Sequence, residues 1–229
     1  MMRYALYFTP PSHHPLWAAG CDWLGRDPET GVTGPGGEHR IDPRRYGFHA
    51  TLKPPFSLAA DSTAADLETA LEAFCLERDA FVMPALGVAA LGDFLALRPA
   101  PGTSGEESAQ RLQHLADDCV RQFDRFRAPL SAQARARRAT AHLDATEVAY
   151  LEAWGYPHVF EHWRFHMTLT DALPRSEKGA ELRARLSTDA TRHFEEALHG
   201  PLACEGLSLF VESAPGADFR LARRFSFSA

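Results

Sequence analysis

The sequence predicts an α+β chain of two similar lobes, and three observations lead there. The phrase Phe48-His49-Ala50-Thr51-Leu52 returns as Phe165-His166-Met167-Thr168-Leu169. Each copy is followed by the same series of features: a proline stop, a helix-spaced apolar stripe and a hairpin of two apolar runs. The two histidines lie 117 positions apart (166 − 49), about half of the 229 residues, which suits two lobes facing across a cleft and not a short repeat array. The expectation is a single bilobal domain, residues 1–229, with its halves interleaved around His49 and His166.

Tyr4 to Phe8 is rich in strand formers and runs into Pro10-Pro11, so a first strand is expected there. Leu16, Trp17, Cys21, Trp23 and Leu24 fit a short buried helix, and the Gly- and Pro-rich residues 25–37 fit a loop. The first phrase should end at Pro54-Pro55. Asp61 or Ser62 can cap a helix to about Arg78, carried by Leu67, Leu71, Phe74 and Cys75. Two apolar runs around Leu91-Gly92-Asp93 predict a hairpin. Leu112, Leu115, Cys119, Phe123 and Phe126 form a clear helical stripe. Asp144 or Thr146 can open a helix that Gly155 closes after Trp154. The second phrase is stopped by Pro174, a helix spans about Ser176 to Leu198, and Leu207 to Val211 with Phe219 to Phe227 form the last hairpin.

Bulk properties narrow the function. A formal charge of −6 and a pI near 6.0 disfavour a long nucleic acid as partner, which draws on a dense basic surface, but allow a small anion at a local positive site. Cys21, Cys75, Cys119 and Cys204 form no C-x-x-C pair and read as core residues of a reducing compartment. No stretch is long and apolar enough to span a bilayer and no signal-like segment opens the chain, so a cytoplasmic protein is expected. Arg121, Arg125, Arg127, Arg135, Arg137 and Arg138 make a local basic stretch, either a solvated helix face or a rim that attracts anionic substrate.

The phrases carry the chemistry. With a side-chain period of two, His49, Thr51 and Lys53 share one strand face, as do His166, Thr168 and Thr170, while Phe48, Ala50, Leu52, Phe165, Met167 and Leu169 face the core. Of the 11 histidines, only His49 and His166 have Ser or Thr two positions later. Two imidazoles can divide the work of base and acid, a division that serves cleavage of a phosphate ester well. The threonine hydroxyls can hold non-bridging phosphate oxygens, and Lys53 can assist. Taken singly, each His-x-Thr reads as a strand with a hydrogen-bonded histidine. Recurrence in the same five-residue setting turns the pair into a candidate site. Tyr46, Arg45 and Arg164 lie beside it in sequence and are second-rank candidates. His158-Val159-Phe160-Glu161-His162 matches a zinc-binding H-x-x-E-H pattern, but Gly155, Pro157 and the Phe165 strand leave barely one helical turn, so no metal is expected.

The stretch Arg45-Tyr46-Gly47-Phe48-His49-Ala50-Thr51-Leu52-Lys53-Pro54-Pro55-Phe56, with Phe165-His166-Met167-Thr168-Leu169-Thr170, resembles the 2H phosphoesterase superfamily, and within it the subfamily associated with phosphonate-utilisation operons. The resemblance implies a two-lobed α+β fold with antiparallel sheets lining a central cleft, no obligatory metal or other cofactor, and action on phosphodiesters. It places His49 and His166 as catalytic residues, without assigning base and acid, and Thr51 and Thr168 as phosphate-binding ones. Lys53, Tyr46, Arg45 and Thr170 are further candidates for substrate contact. The superfamily implies a small phosphorylated substrate, a ribose or nucleotide cyclic phosphate, and the subfamily points to a phosphorylated ribose cyclic phosphate and a place in phosphonate catabolism. The alternatives are processing of RNA 2′,3′-cyclic phosphate ends, or a non-catalytic module that binds nucleotides or RNA ends in the same groove.

Overall fold

The computed structural model describes residues 1–100, 106–139 and 143–228, with the side chain of Arg137 lying outside the described residues. Seven strands form one antiparallel sheet in the order β4-β5-β6-β2-β1-β8-β9. They are β1 (Arg3–Phe8), β2 (Ala50–Phe56), β4 (Leu86–Leu91), β5 (Phe94–Pro99), β6 (Met167–Thr168), β8 (Gly206–Glu212) and β9 (Phe219–Ser226). The short strands β3 (Phe81–Val82) and β7 (Ala203–Cys204) pair separately. The two phrases meet at the middle of the large sheet, where Ala50 of β2 stands opposite Met167 of β6.

The hairpins are exchanged between the halves. The β4–β5 hairpin follows the first phrase in the chain but pairs through β5 with β6, the strand of the second phrase. The β8–β9 hairpin follows the second phrase but pairs through β8 with β1, which in turn pairs with β2. The sequence repeat is therefore visible in the fold, with each half completing the sheet of the other.

One sheet face is covered by helices α1 (Pro15–Leu24), α3 (Ala64–Leu76), α4 (Glu106–Phe123) and α7 (Glu177–Phe194). Leu16, Leu71, Phe123, Leu186 and Phe194 from these helices pack with Leu6, Leu52, Leu97, Met167 and Leu209 from the sheet in one core. This burial of apolar area is the main force holding the layers together. Ser176 and Asp144 cap α7 and α6 (Ala145–Trp154) as the sequence indicates, and Gly155 ends α6 in the left-handed region at φ 75°. The cap of α3 is Thr63, in place of Asp61 or Ser62. Its hydroxyl accepts from the Asp66 amide while Asp66 reaches back to the Thr63 amide, which closes a reciprocal capping box. Helices α2 (Ile41–Tyr46) and α5 (Ala132–Arg138) are short, lack an apolar stripe and are additions to the sequence reading. Among the described residues, no helix is long and apolar enough to cross a membrane. Cys75, Cys119 and Cys204 are free thiols in the core, and Cys21 is a half-buried one.

The first phrase departs from simple alternation. Tyr7 stands opposite Thr51, but Leu6 stands opposite Lys53, so β2 carries one extra residue between these pairs. Such a β-bulge puts two consecutive side chains on one side. Leu52 and Lys53 are both buried as a result. The expectation that Lys53 shares the face of His49 and Thr51 is thus corrected. Lys53 points into the helix layer, where its ammonium donates to Val120 O at 3.2 Å and to Asp124 at 3.1 Å. The expected stop at Pro54-Pro55 is corrected too, since β2 continues to Phe56 opposite Tyr4. The prolines follow the bulge, beyond the Ala50–Met167 pair that joins β2 to β6, where one strand edge has no ladder hydrogen bond to lose.

Candidate active site

The other sheet face forms the floor of a cleft of about 1220 Å³. Its lining includes His49, Thr51, Thr168, Thr170, Arg45 and Tyr46. His166 sits beside this lining, its ring 5.7 Å from that of Phe94, which is part of the lining. The structure thus gathers every candidate of the two phrases except Lys53. Thr170 is buried and its hydroxyl oxygen accepts the Leu95 amide at 3.0 Å, so one of its polar functions is to hold β5. Arg164 is exposed and donates to the Glu161 and Trp163 carbonyls.

Both histidines stand one residue ahead of their strands, not within them. The local cause is the same in each copy. His49 Nδ1 donates to Gly47 O at 2.8 Å, and His166 Nδ1 donates to Arg164 O at 2.7 Å, in each case the carbonyl two residues earlier. A proton held on Nδ1 leaves Nε2 as the basic nitrogen of the neutral ring. Thr51 lies 3.2 Å from His49 Nε2 and can donate to it in the free protein. Gly47 makes the first arrangement possible, because its φ of 82° with ψ of 173° is a conformation open essentially to glycine.

Packing fixes the rings further. The His49 ring stacks on Tyr7 at 3.7 Å between centroids. Phe48 packs into the core, parallel to Phe194 at 5.8 Å and against Gly20 of α1, where a Cβ would fall 2.1 Å from the Phe48 ring. Two tryptophans cross between the halves: Trp163 Nε1 donates to Thr51 O at 2.8 Å, and Trp23 Nε1 donates to Leu169 O at 2.9 Å. Asp171, just past the second phrase, accepts the Ile41 and Asp42 amides at the start of α2, the helix that leads into the first.

A profile of the family described as "Protein of unknown function (DUF1045)" matches residues 51–220. The chain belongs to this family. Among curated proteins it is similar to ribose 1,5-bisphosphate phosphokinase PhnN of Janthinobacterium sp. (strain Marseille), with 41% identity over 240 residues, covering 100% of this chain and 51% of that protein. The protein of the same name from Laribacter hongkongensis (strain HLHK9) is 37% identical over 230 residues, covering 97% of this chain and 51% of the relative. The chain thus spans about half the length of the curated relatives it matches. Among solved structures it is similar to E. coli LigT complexed with 3′-AMP, with 12% identity, coverage of 100% and 99% of the two chains and a TM-score of 0.39. Kluyveromyces marxianus Usb1 with uridine monophosphate gives 13% identity, coverage of 96% and 97%, and a TM-score of 0.36. The two His-x-Thr phrases of this DUF1045 chain lie on neighbouring strands of one antiparallel sheet.

The electrostatics of the pair follow from its setting. Burial pushes His49 down from its ordinary 6.5 to about 4, partly opposed by its bond to Gly47 and reinforced by His166. Burial also lowers His166, opposed by the Arg164 carbonyl and reinforced by Arg98 and His158. Both rings are therefore held toward the neutral form. Between about pH 4 and 6.5 the unfolded chain binds a proton at residue 49 that the folded chain does not, so stability rises with pH across that window and is lost as pH falls through it. Wild type should lose about 2–3 kcal/mol more than His49→Gln between pH 7 and pH 4.5 in urea titrations. Equal losses in the two proteins would contradict the burial of a neutral His49.

The H-x-x-E-H segment forms no α-helix. Phe160–His162 is a single 3₁₀ turn; His158, ahead of it, and His162 both approach Glu147, at 3.1 and 3.6 Å, and the Glu161 carboxylate accepts from the Tyr150 hydroxyl. Among the described residues, no group of three or more His, Cys, Asp or Glu side chains is arranged to hold a metal ion. Of the basic stretch, Arg127 and Arg138 reach the cleft. Arg121 pairs with Asp117 and Arg135 with Glu152, and Arg125 lies over Phe126. The residues that the sequence reading missed are Arg3, Tyr7, Phe94 and Tyr156. For Tyr7 a signal existed: period-two alternation in β1 puts Ala5 and Tyr7 on the face opposite Leu6 and Phe8. The same alternation puts Arg3 on the face of Tyr7, while Phe94 and Tyr156 reach the cleft only through long-range packing.

Proposed function

We propose that this chain is a metal-independent cyclic phosphodiesterase in which His49 and His166 act as base and acid on a small, phosphorylated ribose cyclic phosphate. The observation that carries the reading is the β2–β6 seam. It sets two His-x-Thr units side by side on one cleft face, each with Nδ1 tied to a carbonyl and Nε2 left for proton transfer.

His49 is assigned as base, since a ring held at about 4 is neutral at pH 7 and can accept a proton. Water attacks phosphorus as His49 Nε2 takes its proton, forming a new P–O bond. The P–O bond to the leaving ring oxygen breaks, and His166, protonated in the substrate complex, gives its proton to that oxygen. The anionic substrate itself favours the charged form of His166. Thr51 and Thr168 donate to the non-bridging oxygens and strengthen these bonds as charge develops. The base and acid come from the protein, so no bound metal is required to activate the water.

The substrate class draws on the relatives. They are named for ribose 1,5-bisphosphate and match this chain over only half their length. Opening a 5-phosphorylated ribose 1,2-cyclic phosphate at its 2-oxygen yields ribose 1,5-bisphosphate, which makes this chain a supplier of that compound, in keeping with a role in phosphonate catabolism. The test is a panel of ribose 1,2-cyclic phosphate, its 5-phosphate and 2′,3′-cyclic nucleotides, followed by ³¹P NMR after metal removal with chelator. The expected result is conversion of a cyclic diester signal to a monoester, fastest for the 5-phosphorylated ribose. No hydrolysis of any member would overturn the reading.

A further inference from the structure

We propose that the part of the cleft walled by Arg3, Arg45 and Arg138 is a separate site for a phosphomonoester, which holds the terminal phosphate of the substrate while the cyclic phosphate is attacked beside His49. This deepens the proposed function and rests on it for the identity of the substrate, though not for the existence of the anion site.

Three guanidiniums from distant parts of the chain line this region. Arg3 and Arg45 are both ion-paired to Glu212, which is fully buried and also accepts the Gly216 amide at 3.0 Å. Arg138 gives its protons to the backbone carbonyls of Gly155 and Pro55, the latter at 2.9 Å. Three positive groups thus face one carboxylate, leaving two positive charges without a local counter-charge. The other carboxylates of the cleft lining are at the N-terminal end of α2, the opposite end from Arg45: Asp42, exposed, and Asp171, engaged by the Ile41 and Asp42 amides. Burial lowers Arg138, the hydroxyls of Tyr156 and Tyr46 act to raise it, and Arg3 and Arg127 repel it, so the groups share one electrostatic neighbourhood. A phosphomonoester carries about −1.5 to −2 at neutral pH and three acceptor oxygens, matching that excess and the planar donor forks of arginine.

The site adjoins the histidines through Tyr7. The Tyr7 ring stacks on His49, and Tyr46, Arg3, Tyr156 and Arg45 all act on its buried hydroxyl. One tyrosine side chain therefore separates the base from the arginine cluster. Glu212 is a positioning residue here, since its buried carboxylate fixes the two guanidiniums and touches no substrate.

The experiment compares kcat/KM for ribose 1,2-cyclic phosphate with and without a 5-phosphate, in wild type, Arg138→Gln and Arg45→Gln. Wild type should prefer the 5-phosphorylated substrate, and each variant should reduce that preference about 10- to 100-fold, chiefly through KM, as expected for a lost charge-assisted contact. Equal loss on both substrates, or no preference in wild type, would overturn the proposal. Calorimetric binding of ribose 5-phosphate supplies an arm independent of turnover. It should weaken about 10- to 100-fold in Arg138→Gln and much less in His166→Ala, with circular dichroism confirming that each variant is folded. The reverse order would place the phosphate at the histidines and overturn the second site. Should no cyclic phosphate be hydrolysed while ribose 5-phosphate binding still depends on Arg138, the anion site stands and the proposed reaction falls.

Discussion

Replacing His49 or His166 with alanine is expected to lower kcat on the preferred cyclic phosphate by about 10²- to 10⁴-fold, the range for loss of a positioned acid or base. The double variant should lose little more than the worse single one, because a base without its acid partner completes few turnovers. Structural damage is not the expected cause of either loss. Both rings are half-buried at the cleft, while the residues that anchor them, Phe48 and Phe165, remain in the core. Thermal melting should show His49→Ala and His166→Ala folded at the assay temperature. Nearly full activity in either folded single variant would remove that histidine from the mechanism.

The second large effect is on stability. Lys53→Ala should cost about 3–5 kcal/mol, because it removes the ammonium from Asp124 and the Val120 carbonyl and leaves a cavity where the buried side chain lay. Burial holds the Lys53 ammonium below its ordinary pKa, and its pairing with Asp124 opposes that shift. Asp124 also accepts from Arg127, at 2.7 and 3.0 Å. Arg127 still pairs with Asp124 in either variant, so Lys53→Met should be milder because the methionine fills the space that alanine leaves empty. Differential scanning calorimetry should show a drop of about 6–20 °C for the alanine variant, using about 2–4 °C per kcal/mol for a chain of this size. A larger drop for methionine than for alanine would contradict this placement of Lys53.

Lys53 also shows where reading the sequence stops. Alternation put His49, Thr51, Thr168, Phe48, Ala50 and Met167 on their observed faces, because period two is a local property of extended backbone. It misplaced Lys53 because the bulge is set by how β2 pairs with Leu6 and Tyr7, forty-odd residues away in the chain. The stripes of α4 and α7 and the caps at Asp144 and Ser176 were legible for the same local reason. The exchange of hairpins was not, since the order of elements along the chain does not reveal which strand edge each hairpin will pair with. The site divides likewise. Its histidines and threonines announce themselves as a repeat and Arg138 as one member of a basic stretch with two readings, while Arg3 and Tyr156 carry no motif; the last three share a cleft only when β1, α5 and the loop after α6 are brought together.

The pH dependence of kcat, with chemistry shown to be rate-limiting by single-turnover kinetics, tests the two-histidine account most directly. A neutral base and a protonated acid predict a bell-shaped profile whose two apparent pKa values belong to the pair, with one limb lost in His49→Ala and the other in His166→Ala. A flat wild-type profile from about pH 5 to 9 would contradict acid–base catalysis by His49 and His166.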